Sequence, residues 1–271
     1  MLEYELRIGG EIVEKCSKII ARRFAQFSKT SEISCKDEEN MEIVTPVDRE
    51  IEEIIVESLR KEFPEYGVWG EEFGKQEGTS EFFWLIDPLD GTKNFTRNIP
   101  FFALCLALVN SEYPLIGIVS DPLRRETFWA VKGMGSYRNK RKIRVSQKNT
   151  VEGAVFACGI PYRARKDILL FEEIFRQLYL RGAGVRKTGC TALEICYTAM
   201  GKFDGFYVFS QAPWDFAAGW IILEEAGGKL TTLRGRKPVW DYQYLCGGNP
   251  SLHEVLKNLF SASSFSLSLP E

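Results

Sequence analysis

The rhythm of apolar residues changes twice along this chain, and that change restricts the fold more than any other feature. Up to residue 64 the period is helical. Ile12, Val13, Cys16, Ile19, Ile20, Phe24 and Phe27 recur at helix spacing within 6–27. Ile51, Ile54, Ile55, Leu59 and Phe63 do so after Asp48, and Pro64 stops the pattern. From residue 82 the runs shorten to strand length. FFWLID, FFALCLALV, YPLIGIVSD, TFWAVKG and SYRNKRKIRVS follow at close intervals with turn residues between them, which predicts an antiparallel meander. Past about residue 150, strand and helix alternate. AVFACGIPY reads as a strand, 167–180 as a helix, 184–188 as a strand, 191–201 as a helix and 204–209 as a strand. A helix over 215–226 closes on Gly227-Gly228, and two short strands and a helix near 251–260 complete the pattern. The expectation is an α+β half, residues 1–148, and an α/β half, residues 149–271, packed as one globular unit because no linker separates them. The segment SCKDEENME (34–42) holds almost nothing to bury and is expected to be a mobile loop. The serine-rich tail SASSFSLSLPE is expected to be poorly ordered.

Composition excludes several classes of function. Apolar residues make up 45% of the 271 and charged residues 27%, so the chain has enough to build a core. With 35 basic and 37 acidic residues the net charge is -2, which gives no global field for nucleic acid or an anionic membrane. A single histidine, His253, rules out a multi-histidine zinc site. It reads as a surface or packing residue in the last helix. The seven cysteines (Cys16, Cys35, Cys105, Cys158, Cys190, Cys196, Cys246) form no CxxC pair and read as free buried thiols of a reducing cytosol. No apolar run approaches the roughly 18–20 residues of a membrane span. The N-terminal Glu3 and Glu5 do not fit a secretory leader, so a cytoplasmic protein is expected.

Four motifs carry chemistry. The first is Asp87-Pro88-Leu89-Asp90-Gly91-Thr92-Lys93-Asn94-Phe95, directly after a strand. Two carboxylates three residues apart repel unless protonated or neutralised by a cation, and oxygen donors of this kind suit Mg²⁺. The following turn presents backbone N–H groups that can cradle an anion. A structural Asx-turn fits the same dipeptides equally well. The second motif is Trp69-Gly70-Glu71-Glu72-Phe73-Gly74, which also fits a solvated turn. The third is Trp214-Asp215-Phe216-Ala217-Ala218-Gly219, and the fourth Val44-Thr45-Pro46-Val47-Asp48; in both the aspartate also fits the start of a helix.

The four together, in this order and followed by EAGG, resemble the inositol monophosphatase family, part of a Mg²⁺-dependent, lithium-sensitive phosphatase superfamily. The resemblance runs from about residue 6 to 260. It implies a layered α-β-α-β-α sandwich, with an antiparallel sheet in the N-terminal half, a mixed sheet in the C-terminal half, and commonly a homodimer. By likeness, Glu71, Asp87, Asp90, Asp215 and the backbone carbonyl of Leu89 are metal ligands for two or three Mg²⁺. Thr92 orients the attacking water and Asp48 hydrogen-bonds that threonine. Gly91 and Thr92 hold phosphate oxygens through their N–H groups. Gly189, Cys190 and Thr191 stand where the family contacts the sugar, with Asp90 and Asp215 beside them. The 34–42 segment matches a loop over a further metal, with Lys36 near it. Asp48, Glu71, Asp87, Asp90 and Asp215 would repel one another strongly; the metals neutralise them, hold a phosphate dianion and activate water.

The chain departs from that pattern in places. Members selective for inositol phosphates often carry a glutamate seven residues before the WD aspartate, bonding a ring hydroxyl. Here the position is Val208, and only Ser210 and Gln211 nearby could hydrogen-bond. A basic set (Arg163, Arg165, Lys166, Arg186, Lys187) fits either solvated surface or a second-phosphate pocket, because guanidinium forks suit phosphate. Some prokaryotic relatives hydrolyse both inositol monophosphates and fructose 1,6-bisphosphate. The expected function is therefore hydrolysis of small sugar or inositol phosphates. Alternatives are fructose 1,6-bisphosphate alone, histidinol phosphate, a nucleotide 3′-phosphate, a regulatory protein acting through partner contacts, or a passive divalent-cation binder. Neither membrane nor nucleic acid is expected as a partner.

Overall fold

The computed structural model describes residues 2–27, 33–39 and 41–263. The serine-rich end from residue 264 onward lies outside them. Helix α1 (Glu3–Gln26) turns Ile8, Ile12, Val13, Cys16 and Ile20 inward. Two short strands, β1 (Ser34–Asp37) and β2 (Glu42–Val44), pair antiparallel. Residues 34–39, 41 and 42 therefore belong to a hairpin, not to the loop that composition predicted. Backbone pairing and ion pairs to the rest of the chain hold it, and apolar burial, the only thing composition reports, contributes little. Helix α2 (Pro46–Glu62) begins with a capping box between Thr45 and Asp48 and has Pro46 at its first turn.

Strands β3 (Gly67–Gly70), β4 (Gly74–Gln76), β5 (Phe83–Asp90), β6 (Ala103–Val109), β7 (Pro114–Asp121), β8 (Glu126–Val131), β9 (Gly135–Arg138) and β10 (Arg141–Lys142) form one eight-stranded sheet, ordered β10-β9-β8-β7-β6-β5-β3-β4. Its meander is antiparallel as expected from β5 onward. One pair departs: β3 runs parallel to β5, reached across a connection that passes through β4. α1 and α2 cover one face, where Ile12, Ile20, Ile51 and Ile55 meet Trp84, Leu104, Leu106 and Ile118.

The second sheet has five strands, β11 (Val155–Gly159), β12 (Gly184–Arg186), β13 (Gly205–Gln211), β14 (Lys229–Thr232) and β15 (Gln243–Gly248), ordered β12-β11-β13-β15-β14 and mixed in direction. A short helix, α3 (Thr92–Thr96), follows β5. α4 (Ile168–Leu180) and α7 (Pro250–Ser261) cover the outer face of this sheet with Phe171, Leu178, Leu252 and Leu256. α5 (Thr191–Ala199) and α6 (Pro213–Glu225) lie between the two sheets. Buried by a sheet on each side, α6 has no polar face: Phe216 through Leu223 are all buried. Its close approach to β7 needs a glycine, because a Cβ at Gly117 would stand 2.3 Å from the Ala218 carbonyl oxygen. The result is the expected five-layer sandwich. No helix among the described residues is long and apolar enough to cross a membrane.

All seven cysteines are free; six are buried and Cys35 is exposed. His253 is a packing residue, buried, with Nε2 2.9 Å from Thr231 Oγ1. Burial lowers its pKa to about 4, so it is neutral at pH 7.

Candidate active site

Both N-terminal and C-terminal elements end at one cavity of about 820 Å³. β5 brings Asp87 and, at its last residue, Asp90. The turn after β3 brings Glu71, whose N–H donates to the Ile86 carbonyl of β5 at 3.2 Å. That bond follows from the parallel pairing of β3 and β5. α6 brings Asp215 in its first turn, where Oδ2 accepts from Ala212 N at 2.8 Å. The residues expected as ligands are thus on one wall, with Leu89, Gly91, Thr92, Gly189 and Thr191. Gly91 takes φ +98°, the left-handed turn that starts α3 directly after Asp90.

Four acidic side chains share this wall, and each is harder to ionise here than in water. Burial is the largest influence on each carboxyl, and neighbouring acids add to it. Glu71 is raised to about 8, by burial and by Asp215, Glu72 and Asp48 against the pull of Lys36. Asp90 is raised to about 7 by burial and Asp215. Asp215 is raised to about 6 by burial, against Arg163. Asp87 lies well above the usual range through burial and the charges of Glu71, Asp90 and Asp215. Each proton bound here offsets repulsion that a hard divalent ion would relieve better, and the carboxylate oxygens suit Mg²⁺. The Cys105 thiol, opposite Asp87 on β6, also comes within 4.8 Å of the Asp87 and Asp90 oxygens.

Asp48 stands behind this wall, buried, and is raised to about 6 by burial. Its Oδ2 accepts from Thr45 N at 2.8 Å and from Thr45 Oγ1 at 2.5 Å. The Thr92 hydroxyl lies 3.0 Å from both Asp48 Oδ1 and the Leu89 carbonyl, two acceptors for its one proton. Cys190 sits beneath the wall, buried, with its thiol donating to Asp90 Oδ2 at 3.2 Å, next to Ala192 N at 2.6 Å. It therefore orients Asp90 from behind.

The hairpin closes one side. Lys36 Nζ donates to the Glu71 carbonyl at 2.8 Å and pairs with Glu72 at 3.2 Å. Glu42 accepts from Arg163, whose Nε donates to the Ser210 carbonyl at 2.8 Å and whose Nη2 lies 3.6 Å from Asp215 Oδ2. The basic set divides here. Arg163, Arg165 and Lys187 line the cavity. Arg186 does not: it is exposed and donates to its neighbour's carbonyl at Val185. Lys166 is exposed as well and is absent from the wall.

Three supporting roles were not legible in the sequence. Glu52, wholly buried on α2, accepts from Glu72 N at 2.9 Å and Phe73 N at 2.8 Å, and so fixes the turn that carries Glu71. Its position one turn after Asp48, on the face of Ile55 and Leu59, is the signal that could have found it: a charge on the apolar stripe. Glu194, raised to about 8 by burial, accepts from Thr188 N and Oγ1 at 3.0 and 2.7 Å. Asn94 donates to the Thr188 and Phe101 carbonyls at 2.9 and 2.8 Å. The two clamp the 187–191 wall from both halves of the chain.

The model of the inositol monophosphatase family matches residues 2–264. The chain belongs to the inositol monophosphatase family. Among its relatives, the fructose-1,6-bisphosphatase/inositol-1-monophosphatase of Aquifex aeolicus is 36% identical over 92% of this chain and 89% of its own length. The Nus factor SuhB of Pseudomonas aeruginosa is 35% identical, over 86% and 88%. A crystal structure of an extragenic suppressor protein from Bartonella henselae superposes with a TM-score of 0.89 at 29% identity, covering 95% of this chain and 98% of that one. Family membership supports a phosphatase, and the inositol monophosphatase fold accounts for the layered architecture.

Proposed function

We propose that the chain is a Mg²⁺-dependent phosphomonoesterase that hydrolyses small sugar or inositol phosphates. The observation that carries this reading is the convergence of Glu71, Asp87, Asp90 and Asp215 on one cavity wall beside the Thr92–Asp48 pair. Those four side chains and the Leu89 carbonyl would hold Mg²⁺, two or three ions by likeness to the family. Bound there, the metal would supply a water of lowered pKa and would stabilise charge on the departing oxygen. The chain's own groups do the positioning. Thr45 fixes Asp48 Oδ2, which leaves Oδ1 to accept from the Thr92 hydroxyl. Thr92 Oγ1 thereby keeps its lone pairs to accept from, and so orient, the attacking water. By likeness to the family, the Gly91 and Thr92 N–H groups would hold phosphate oxygens. A cavity of about 820 Å³ has room for a sugar bisphosphate as well as an inositol phosphate. Arg165 and Lys187, which also line the cavity, favour fructose 1,6-bisphosphate as a second substrate, whereas Arg163 is engaged by Glu42 and Asp215. Lithium inhibition and a homodimer belong to the same reading by family likeness.

Relatives named as Nus factors favour a second reading, a regulatory protein acting through partner contacts. One assay separates the two. Phosphate release from inositol 1-phosphate and fructose 1,6-bisphosphate is measured with and without Mg²⁺, for the wild type and for Asp90→Asn. Hydrolysis predicts Mg²⁺-dependent release that falls at least roughly 100-fold in the variant. Absence of release in the wild type, with capture of the chain by RNA polymerase unchanged in Asp90→Asn, supports the partner reading instead.

A further inference from the structure

β13 carries one residue more than its partner just before the helix that bears Asp215. Val208 pairs with Leu245 and Gln211 with Gln243, three steps on one strand against two on the other. Ser210 absorbs the extra residue with φ +48°, and its carbonyl is held by Arg163 Nε at 2.8 Å. Residues of an unbroken strand alternate between faces. Tyr207 and Phe209 face the outer cluster with α4 and α7, whereas Phe206 and Val208 face the inner cluster with α5 and α6. Plain alternation would send residue 211 outward with Tyr207 and Phe209. The bulge reverses it. Gln211 instead enters the wall of the catalytic cavity, on the same side as Val208 and one step nearer to Asp215.

The amide is locked there, only 6% exposed. Nε2 donates to the Phe209 carbonyl at 2.7 Å, which can only accept, so the orientation of the amide is fixed. Oε1 accepts from Thr191 Oγ1, also at 2.7 Å. Thr191 is itself part of the cavity wall. What remains free is one N–H on Gln211 and the lone pairs of Thr191 Oγ1 and Gln211 Oε1. A neutral donor beside a neutral acceptor matches a hydroxyl, which both accepts and donates. Val208 itself is wholly buried and reaches no ligand.

We propose that Gln211, re-aimed by the bulge at Ser210 and set by Thr191, is the specificity-determining residue that reads a hydroxyl of a polyol or sugar phosphate. It takes the place of the carboxylate that position 208 lacks. The inference rests on the phosphatase reading above and names the substrate feature that site selects. A substrate without the hydroxyl leaves this pair without its partner in the cavity wall, and a site built to bond a hydroxyl discriminates sharply against its absence.

The test compares inositol 1-phosphate with p-nitrophenyl phosphate, which has no hydroxyl to read, in wild type, Gln211→Leu and Thr191→Val. In both variants the ratio of kcat/KM for inositol 1-phosphate to that for p-nitrophenyl phosphate falls at least tenfold, through KM for the polyol and not through kcat. Equal losses on the two compounds would mean a structural role only and overturn the proposal. If Gln211→Leu does not fold, Thr191→Val, nearly isosteric, decides by the same ratio. If the wild type releases phosphate from neither compound, the phosphatase reading fails by itself. Calorimetric binding of inositol 1-phosphate with Mg²⁺ then decides the recognition claim: tenfold weaker binding in either variant supports it, and unchanged or undetectable binding overturns it.

Discussion

Removing divalent metal should make this protein less stable as pH rises, the reverse of the usual behaviour of carboxylates. Glu71, Asp87, Asp90 and Asp215 all have pKa values raised in the folded state, chiefly by burial. A group raised in this way binds its proton more tightly folded than unfolded. Its stabilising effect is complete below the unfolded pKa, near 4, and is lost as pH climbs through the folded value. For this cluster the window runs from about 4 to about 8, the value of Glu71. Glu71 moves from 4.5 to about 8, which at 1.36 kcal/mol per unit is on the order of 5 kcal/mol. Its side chain keeps 28% exposure, so solvent screening reduces this to roughly 2–4 kcal/mol. At about 2–4 °C per kcal/mol for a chain of this size, the melting temperature in chelator drops by very roughly 5–15 °C between pH 5 and pH 8. Mg²⁺ reverses the drop, so its stabilising increment grows with pH across that window. The assay is thermal unfolding from pH 5 to 8.5, with EDTA or with millimolar Mg²⁺, for wild type and Glu71→Gln. A melting temperature in EDTA that is flat or rises over this range, or a Glu71→Gln curve parallel to wild type, would refute the reasoning.

Other outcomes follow from single contacts. Lys187→Ala and Arg165→Ala should impair fructose 1,6-bisphosphate hydrolysis more than that of inositol 1-phosphate, while Arg186→Ala, outside the cavity, affects both alike; kcat/KM for the two substrates checks this. Gly117→Ala drives a Cβ to within 2.3 Å of the Ala218 carbonyl oxygen, and overpacking of this kind costs about 1–3 kcal/mol. Its melting temperature should fall by roughly 2–12 °C, with Mg²⁺-dependent turnover as the companion measurement. Glu52→Gln keeps the shape but weakens the hold on Glu72 N and Phe73 N, so the turn bearing Glu71 loosens. The expected result is a higher Mg²⁺ concentration for half-maximal phosphate release, by roughly tenfold.

What the sequence alone determined was whatever depends on neighbours along the chain. The helices over 3–26 and 46–62 follow from apolar period and from the Thr45–Asp48 cap, and the strands from 83 onward from short apolar runs between turns. Glu71, Asp87, Asp90 and Asp215 were picked out by family likeness as candidate ligands, and the structure places all four at one cavity. Tertiary structure decided the rest, because the deciding interactions join distant residues. β1 and β2 are polar and are held by Lys36 and Arg163 reaching across the fold, so composition described a loop. β3 pairs in parallel with β5, a non-local choice that no turn residue announces. Arg186 and Lys187 are adjacent and equally basic, yet only Lys187 lines the cavity. One bulge at Ser210 turns Gln211 from the outer core to the wall of the cavity that holds the acidic cluster. Side-chain type is written in the sequence; which face a strand residue shows depends on register against a partner strand, and that is fixed only when the sheet forms.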